Sequence, residues 1–179
     1  MRISSGHKGF RVIGARTVIA TLACGGAFGL MALFGGGDAG AATNCNAVDN
    51  ARTEHANGQS HCIANAGPGS RANAQDTSNS GIATAVATTG GSATSKNLQP
   101  GSQALSSGIY GGNAYSITTG PKAESVAMAR RGGTSIAIGG WGGQAYAGPG
   151  GTYCSGGFGA AYDSTTGAYC LKTGSINIS

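Results

Sequence analysis

Branched aliphatic, aromatic and charged residues are all scarce in this sequence. Of its 179 residues, 6% are aromatic and 9% are charged, whereas 35 are glycine. Residues 43–179 contain only 15 Val, Ile, Leu or Phe. Burying one large apolar side chain contributes about 1.5–3 kcal/mol, whereas ordering the backbone of one residue costs about 1–2 kcal/mol. A core of branched aliphatic side chains is therefore excluded, and an ordered chain needs a thin interior built from alanine.

Proline and net charge are also low for a disordered segment. The chain has 4 prolines, and after residue 42 seven Lys and Arg oppose five Asp and Glu, a net charge of about +2. Disordered segments usually combine high net charge with many prolines, so we expect an ordered fold. A flexible wall-associated linker remains the alternative. The small charge also gives no basis for a nucleic-acid partner.

The first 42 residues have the features of a signal peptide. A basic start precedes an almost uncharged apolar stretch at residues 18–34, and the small residues Ala39, Gly40 and Ala41 follow. We expect cleavage near Ala41–Ala42 and a protein secreted to the cell envelope. The alternative is a retained anchor, since 17 apolar residues lie at the short end of a membrane span. Membrane contact is expected only through the uncleaved leader.

The four cysteines after the leader predict two disulfides. An even number of cysteines in an exported chain is typical of disulfide pairing. Three pairings are open; the local one, Cys45–Cys62 with Cys154–Cys170, closes one loop at each end, worth roughly 3 kcal/mol each. Neither pair has the C-x-x-C spacing of a zinc site, and no metal is expected.

A short unit recurs along the middle of the chain. Each unit starts with a stretch in which small and larger residues alternate and ends in Gly, Pro, Ser, Thr or Asn, and alanines mark successive units about ten residues apart. Alternation followed by turn residues predicts strands and turns, and regular recurrence predicts a solenoid. The marker alanines are residues 64, 72, 83, 93, 104, 114, 127, 137 and 145.

The alternation gives each strand an alanine face and a larger apolar face. In "SVAMA", Val126 and Met128 point one way and the alanines the other, and in "SIAIG" Ile136 and Ile138 do the same. The alanine face suits a flat coil whose backbones approach closely. The larger face needs cover, so we expect self-association through these four residues.

The runs "SVAMA", "SIAIG" and "QAYAG" resemble the head repeats of trimeric autotransporter adhesins. The similarity covers residues 63–148 and is strongest over 124–148. It implies a left-handed parallel β-roll and a trimer. The steps here vary from eight to thirteen residues, whereas those of the family are shorter and regular. No heptad run or terminal barrel strands were found, so the resemblance does not imply self-anchored display.

Both ends differ from the repeat and are expected to form caps. Residues 43–62 predict a short helix or loop clasped by a disulfide. Residues 153–172 predict a hairpin around "DSTTG", with Cys154 and Cys170 joining its strands and Tyr153 beside Tyr169.

No catalytic motif is present, and no enzyme activity or cofactor is expected. The sequence has no G-x-S-x-G and no phosphate-binding loop. His55 and His61 both precede Cys62 and could serve a ligand-binding or hydrolytic cap, although solvent-exposed side chains are the simpler interpretation. Arg130 and Arg131 occupy a turn that could contact an anionic polymer. Trp141 lies between glycines and could contact carbohydrate or protein, or pack against a neighbouring coil.

These observations predict an all-β protein, a parallel β-solenoid or β-roll of short Ala/Gly-rich strands with a small N-terminal cap and a C-terminal disulfide-stapled hairpin. Its parts are the signal peptide (1–42), the disulfide-clasped cap (43–62), the β-roll repeats (63–152) and the hairpin cap (153–179). The expected function is that of a non-enzymatic, adhesin-like structural and interaction module of the cell envelope. The expected partners are further copies of the chain, a cell-surface protein or a polysaccharide.

Overall fold

The computed structural model describes residues 42–179, and this part of the chain is built from fifteen β-strands with no helix. The predicted leader, except for Ala42, lies outside the described residues. Within them, no helix has the length and apolar character that crossing a bilayer requires. The strands are β1 (Thr43–Val48), β2 (Arg52–Asn57), β3 (Gln59–Ala66), β4 (Arg71–Asp76), β5 (Ser80–Thr88), β6 (Ser92–Asn97), β7 (Ser102–Ile109), β8 (Asn113–Thr118), β9 (Glu124–Arg130), β10 (Thr134–Gly140), β11 (Gln144–Gly148), β12 (Gly151–Ser155), β13 (Phe158–Asp163), β14 (Tyr169–Thr173) and β15 (Ile176–Ile178).

The strands form a two-sheet solenoid, as the repeat predicts. One sheet has eight strands in the order β1-β4-β6-β8-β10-β13-β14-β15, and the other has seven in the order β12-β11-β9-β7-β5-β3-β2. The central strands of both sheets are parallel. Arg71 pairs with Ser92, Ser92 with Asn113, and Asn113 with Thr134, so each coil takes 21 residues. The predicted unit of about ten residues is half a coil, and the architecture is consistent with the β-roll that the resemblance implies.

Alanine fills the interior, as the alternation predicts. All nine marker alanines are buried. Along the chain they lie alternately in the seven-stranded and the eight-stranded sheet. The largest fully buried side chains are no bigger than Asn97, Thr118 and two aspartates. Consequently, the larger apolar side chains of the strands lie on the outer faces.

The interior is thin because the two sheets approach much more closely than in an ordinary sandwich. Packed sheets usually lie about 10 Å apart, whereas here the short side chain of Ser95 reaches the backbone of the opposite sheet, with its Oγ 2.6 Å from the carbonyl oxygen of Thr84. Hydroxyl groups also meet across this gap: the Oγ atoms of Ser95 and Ser106, on strands of different sheets, are 2.7 Å apart. Only alanine, serine, glycine and a few slightly larger polar side chains fit such a space.

Strand register explains which cysteines pair. Cys45 and Cys170 occupy the two ends of one inward-facing column of the eight-stranded sheet. In the facing column of the other sheet, Cys154 is at one end and Cys62 is next to the last residue, His55, at the other. The structure pairs Cys45 with Cys62 and Cys154 with Cys170. The other two pairings would have to span the length of the solenoid, far beyond the roughly 7 Å Cα separation that a disulfide can bridge.

The predicted caps are present, but their details differ from the expectation. Residues 43–57 form two antiparallel strands, β1 and β2, rather than a short helix or loop, because each pairs with the first parallel strand of its sheet. At the other end, β13 and β14 form the predicted hairpin. Its disulfide does not join these two strands, since Cys154 lies on β12 in the opposite sheet.

The predicted pairing of two tyrosines at the C-terminal end is wrong. Tyr153 and Tyr169 lie in different sheets, and each is paired with another tyrosine of its own sheet, Tyr146 and Tyr162 respectively. The register therefore gives one tyrosine pair to each outer face.

The corners of the coils carry non-glycine residues in the left-handed region. Thr89, Tyr110, Arg131 and Trp141 have φ between 49° and 53°, and each precedes a glycine that also has positive φ. Two successive positive φ values define a type I′ turn, in which Asn or Gly is favoured at the first position. Tyr110 and Trp141 are more than 60% exposed at these corners.

Candidate functional site

The outer face of the eight-stranded sheet changes from polar to apolar along the solenoid. One row of paired residues is polar on the first three strands, with Asn46, Asn73 and Thr94. The same row is apolar or aromatic on the next four strands, with Tyr115, Ile136, Tyr162 and Tyr169. The next row is likewise polar on the first three strands, with Asn44, Gln75 and Lys96. It is apolar on the next five strands, with Ile117, Ile138, Ala160, Leu171 and Ile178. Both rows change between β6 and β8, so the C-terminal half of this face is apolar.

We call the C-terminal part of these two rows the apolar patch. It comprises Tyr115, Ile117, Ile136, Ile138, Ala160, Tyr162, Tyr169, Leu171 and Ile178. Strands lie about 4.8 Å apart and same-face residues nearly 7 Å apart along a strand, so the patch measures about 24 Å by 15 Å, or about 350 Å² in projection. Contiguous apolar areas of this size on a protein surface are often functional.

An aromatic pair forms the rim of the apolar patch. Phe158, which pairs with Gly140 beside the patch, makes an edge-to-face contact with Trp141, with ring centroids 6.4 Å apart and an interplanar angle of 84°. Trp141 is 67% exposed at its corner. The contact fixes the indole next to the patch, so its exposed ring extends the apolar surface towards one edge of the solenoid.

The seven residues predicted to make contacts, four of them through one face, lie on three different surfaces. Ile136 and Ile138 are in the patch and Trp141 is at its rim, whereas Val126 and Met128 are on β9 in the opposite sheet. The physical reason is the corner turn between β9 and β10, which moves the chain from one sheet to the other. Arg130 and Arg131, at the end of β9 and in that turn, lie at the edge opposite Trp141, at the other end of β10.

The sequence alone does not predict most residues of the apolar patch. Tyr115, Tyr162, Tyr169, Leu171 and Ile178 carry the signal in the alternation of their own strands. Alternation within one strand identifies the residues that point outward, but it does not identify which strands lie next to each other. The neighbouring strand in each sheet is a full coil away in the sequence or comes from the C-terminal hairpin.

The two histidines of the N-terminal cap do not converge. His55 pairs directly with Cys62, whose side chain is buried, so both lie on the inner face of their sheet. His61 precedes Cys62 and lies on the outer face. A shallow groove of about 320 Å³ beside His55 is lined by Ala42, Thr43, Asn44, Ala56 and Asn57, without His61. Within residues 42–179, no three His, Cys, Asp or Glu side chains form a group that could hold a metal ion.

Two buried aspartates belong to the framework rather than to an open site. Asp76 accepts hydrogen bonds from Ser60 Oγ at 2.7 Å, from the backbone N–H and hydroxyl of Ser78, and from Asn97 Nδ2. These bonds link neighbouring strands at one edge of the solenoid, and each partner is itself buried.

Asp163 organises the turn of the C-terminal hairpin. Its carboxylate accepts hydrogen bonds from the Ser135 hydroxyl and from the backbone N–H groups of Thr165 and Thr166. Burial raises the pKa of Asp163, but the hydrogen bonds from Ser135, Thr166 and Thr165 together outweigh it, so the pKa lies below its ordinary value of 3.8. The carboxylate is therefore held in its charged form as an acceptor.

The model of one protein family matches residues 9–173 of the chain. The chain belongs to DUF6764, a family of unknown function. Neither a curated protein nor a solved structure matches it. The family match thus extends over the solenoid and both caps, and the surface geometry described above is the basis for assigning a function.

Proposed function

We propose that the chain is a non-enzymatic structural and interaction module of the cell envelope that self-associates through the apolar patch. The patch is the observation that carries this proposal. It joins five strands of one sheet, β8, β10, β13, β14 and β15, into a single apolar surface. Covering such a surface removes apolar area from water, which is the main driving force for association.

A second copy of the chain is the occupant that fits this surface. The patch lies on the outer face of a regular sheet, and sheets pack face to face through interdigitating side chains. Two patches of about 350 Å² in projection bury less than the roughly 1,200 Å² total of a stable standard interface. Self-association is therefore weak and reversible. Face-to-face contact of the same patch on two copies closes as a dimer, so we propose a dimer rather than the trimer that the resemblance implies.

The cysteine pairing and the leader pattern support an exported protein. The two disulfides indicate an oxidising, extracytoplasmic compartment. The basic and apolar N-terminal segment, with small residues up to Ala41, supports cleavage near Ala41–Ala42 and release to the cell envelope. An adhesin-like module in that location would act through its outer faces.

Sedimentation velocity over a range from micromolar to millimolar tests self-association of the oxidised chain lacking the leader. We expect a sedimentation coefficient that rises with concentration for the wild-type protein. Ile138→Glu, which lies in the patch between Ile117 and Ala160, abolishes the rise because a charge at this position must be desolvated on association. The matched control Ile82→Glu changes the same residue type on the outer face of the opposite sheet and leaves the rise intact.

Two results would contradict the proposal. A wild-type protein that remains monomeric at millimolar concentration would exclude self-association. An Ile138→Glu protein that associates like the wild type, or an Ile82→Glu protein that does not associate, would show that the patch is not the contact surface. Cooperative thermal unfolding of both variants establishes that each is folded.

A further inference from the structure

A groove on the opposite, seven-stranded sheet has a different chemical character. It measures about 260 Å³ and is lined by Glu124, Val126, Gln144, Ala145, Tyr146 and Tyr153. These residues belong to β9, β11 and β12, which are neighbours at the C-terminal edge of that sheet. The groove is therefore separate from the apolar patch, which lies on the other outer face.

Two parallel rows of side chains cross the three strands at this groove. The first row is Val126, Tyr146 and Tyr153, which occupy paired positions on successive strands. The second row is Glu124, Gln144 and Ser155, also at paired positions. An apolar and aromatic strip thus runs beside a strip of hydrogen-bonding groups.

The polar strip is already hydrogen-bonded from strand to strand. Ser155 Oγ donates to Gln144 Oε1 at 3.1 Å, and Gln144 Nε2 donates to Glu124 Oε2 at 3.4 Å. These contacts orient the amide and the carboxylate in the plane of the sheet. A carboxylate accepts up to about four hydrogen bonds, and the amide nitrogen has a second N–H, so both groups retain capacity for a bound ligand.

The hydroxyl end of the Tyr146 side chain lies over a glycine. A Cβ atom added to Gly148 would be 2.5 Å from the Tyr146 hydroxyl oxygen and 2.9 Å from its Cζ atom. The hydroxyl reaches the Met128 sulfur at 3.9 Å, which holds the far end of the ring against the sheet. The hydroxyl end of Tyr146 is therefore held against the sheet, and the rest of this half-buried side chain contributes to the groove surface.

Tyr153 supplies a second aromatic surface beside Tyr146. It is 58% exposed on the edge strand β12, directly opposite Tyr146 in the antiparallel pair. Two neighbouring aromatic side chains next to hydrogen-bonded carboxylate, amide and hydroxyl groups match the two sides of a sugar ring. The C–H face of the sugar packs on the aromatic rings, and its hydroxyl groups exchange hydrogen bonds with the polar strip.

We propose that this groove binds a neutral hexopyranose unit of a polysaccharide. The only charged residue in its lining is Glu124, so an acidic sugar would be repelled by like charge. The groove volume suits one sugar ring rather than a long chain. The proposal does not depend on self-association, because the two surfaces lie on opposite sheets.

NMR titration of the isotope-labelled, oxidised protein tests the proposal directly. The probes are maltohexaose, cellohexaose and mannohexaose, with hexagalacturonate as the acidic comparison. We expect at least one neutral probe to shift backbone amide signals of β9, β11 and β12 in a saturable manner, and hexagalacturonate to produce no saturable shift. Failure of all three neutral probes at tens of millimolar, or tighter binding of hexagalacturonate, would overturn the assignment.

Three variants distinguish binding in this groove from non-specific binding to exposed tyrosines. Tyr153→Ala removes one aromatic surface and should weaken binding about tenfold. Gly148→Ala changes the identity of no lining residue, and the backbone at Gly148 is not in the left-handed region, but the added methyl group displaces the Tyr146 ring. It should weaken binding to a similar extent.

Tyr110→Ala is the matched control. Tyr110 is 63% exposed at the corner between β7 and β8 and belongs neither to the groove nor to the apolar patch, so its loss should leave the affinity unchanged. Affinity that survives Tyr153→Ala, or that falls equally in Tyr110→Ala, would place the binding surface elsewhere. Because the titration is read per residue, these outcomes are independent of the sedimentation result for the apolar patch.

Discussion

The thin alanine interior makes a prediction that runs against intrinsic strand propensity. Ala85 is fully buried in the middle of β5, where its sheet neighbours are Ala64 and Ser106. Thr84, the adjacent residue, lies on the outer face. Valine has a higher strand propensity than alanine, on a scale that spans about 1 kcal/mol. Propensity alone therefore predicts that Ala85→Val stabilises the protein.

The geometry of the interior predicts the opposite for Ala85→Val. Beside Ala85, the Oγ of Ser95 from the opposite sheet lies 2.6 Å from the carbonyl oxygen of Thr84 and 2.7 Å from Ser106 Oγ. Two extra methyl groups at Ala85 have no space unless the sheets separate. Overpacking of a tight core costs about 1–3 kcal/mol, which exceeds the gain from propensity. We expect a net loss of about 1–2 kcal/mol in the free energy of unfolding.

Thr84→Val provides the control on the same strand. It replaces a β-branched residue by another of similar size on the outer face, and we expect a change within about 0.5 kcal/mol. Urea unfolding of the oxidised proteins, followed by circular dichroism, gives both free energies if the transitions are two-state. An Ala85→Val protein as stable as, or more stable than, the Thr84→Val protein would refute the account of a closely spaced, filled interior.

Three further predictions concern the C-terminal cap, the buried carboxylate and the corners. Replacing Cys154 and Cys170 together by serine should lower the free energy of unfolding by about 3 kcal/mol, because the disulfide closes a loop with a sequence separation of 16. Peptide mass spectrometry of the wild-type protein should recover this disulfide. Unchanged stability of the double variant would contradict the role of the disulfide as a cap. Because the folded-state pKa of Asp163 is below its unfolded value, its contribution to stability is present above pH 3.8 and is lost as the pH falls through the folded-state pKa. The Asp163→Asn protein should therefore be less stable than the wild type at neutral pH and should lose less stability in acid, as measured by urea midpoints between pH 2 and 7. Identical pH profiles of the two proteins would show that another group controls acid unfolding. Tyr110→Asn should stabilise the protein by about 0.5–1 kcal/mol, because Tyr110 has a φ of 53° in a type I′ turn where asparagine is favoured. A lower melting temperature for this variant than for the wild type would refute the turn assignment.

The repeat and the small residues were sufficient to predict the solenoid. Alternation placed the alanines on one face of each strand, and the scarcity of large side chains required that this face be the interior. Both features depend on local periodicity, which a single sequence displays directly. The 21-residue coil is two such periods, so the step predicted from the marker alanines corresponds to the distance from one sheet to the other.

What could not be predicted is which residues become neighbours across strands. Val126 and Ile136 come from similar runs ten residues apart, yet they face opposite sides of the molecule because a corner turn separates them. In the N-terminal cap, the polar segment Arg52–Asn57 has no apolar alternation of its own. It becomes a strand through pairing with β3, which is a tertiary effect that overrides local sequence preference.

The thin interior has a consequence for how the surfaces are interpreted. Since only small side chains fit inside, every larger apolar residue of the strands must lie outside, and exposure alone is therefore no sign of function in this fold. The polar half of the eight-stranded sheet provides the internal comparison. Thr94 and Lys96 occupy the positions that pair with Tyr115 and Ile117 on the next strand, so the fold accepts polar residues at these positions. The apolar patch is thus a property of this sequence that the architecture does not require, and this is the physical reason to attribute an interaction to it.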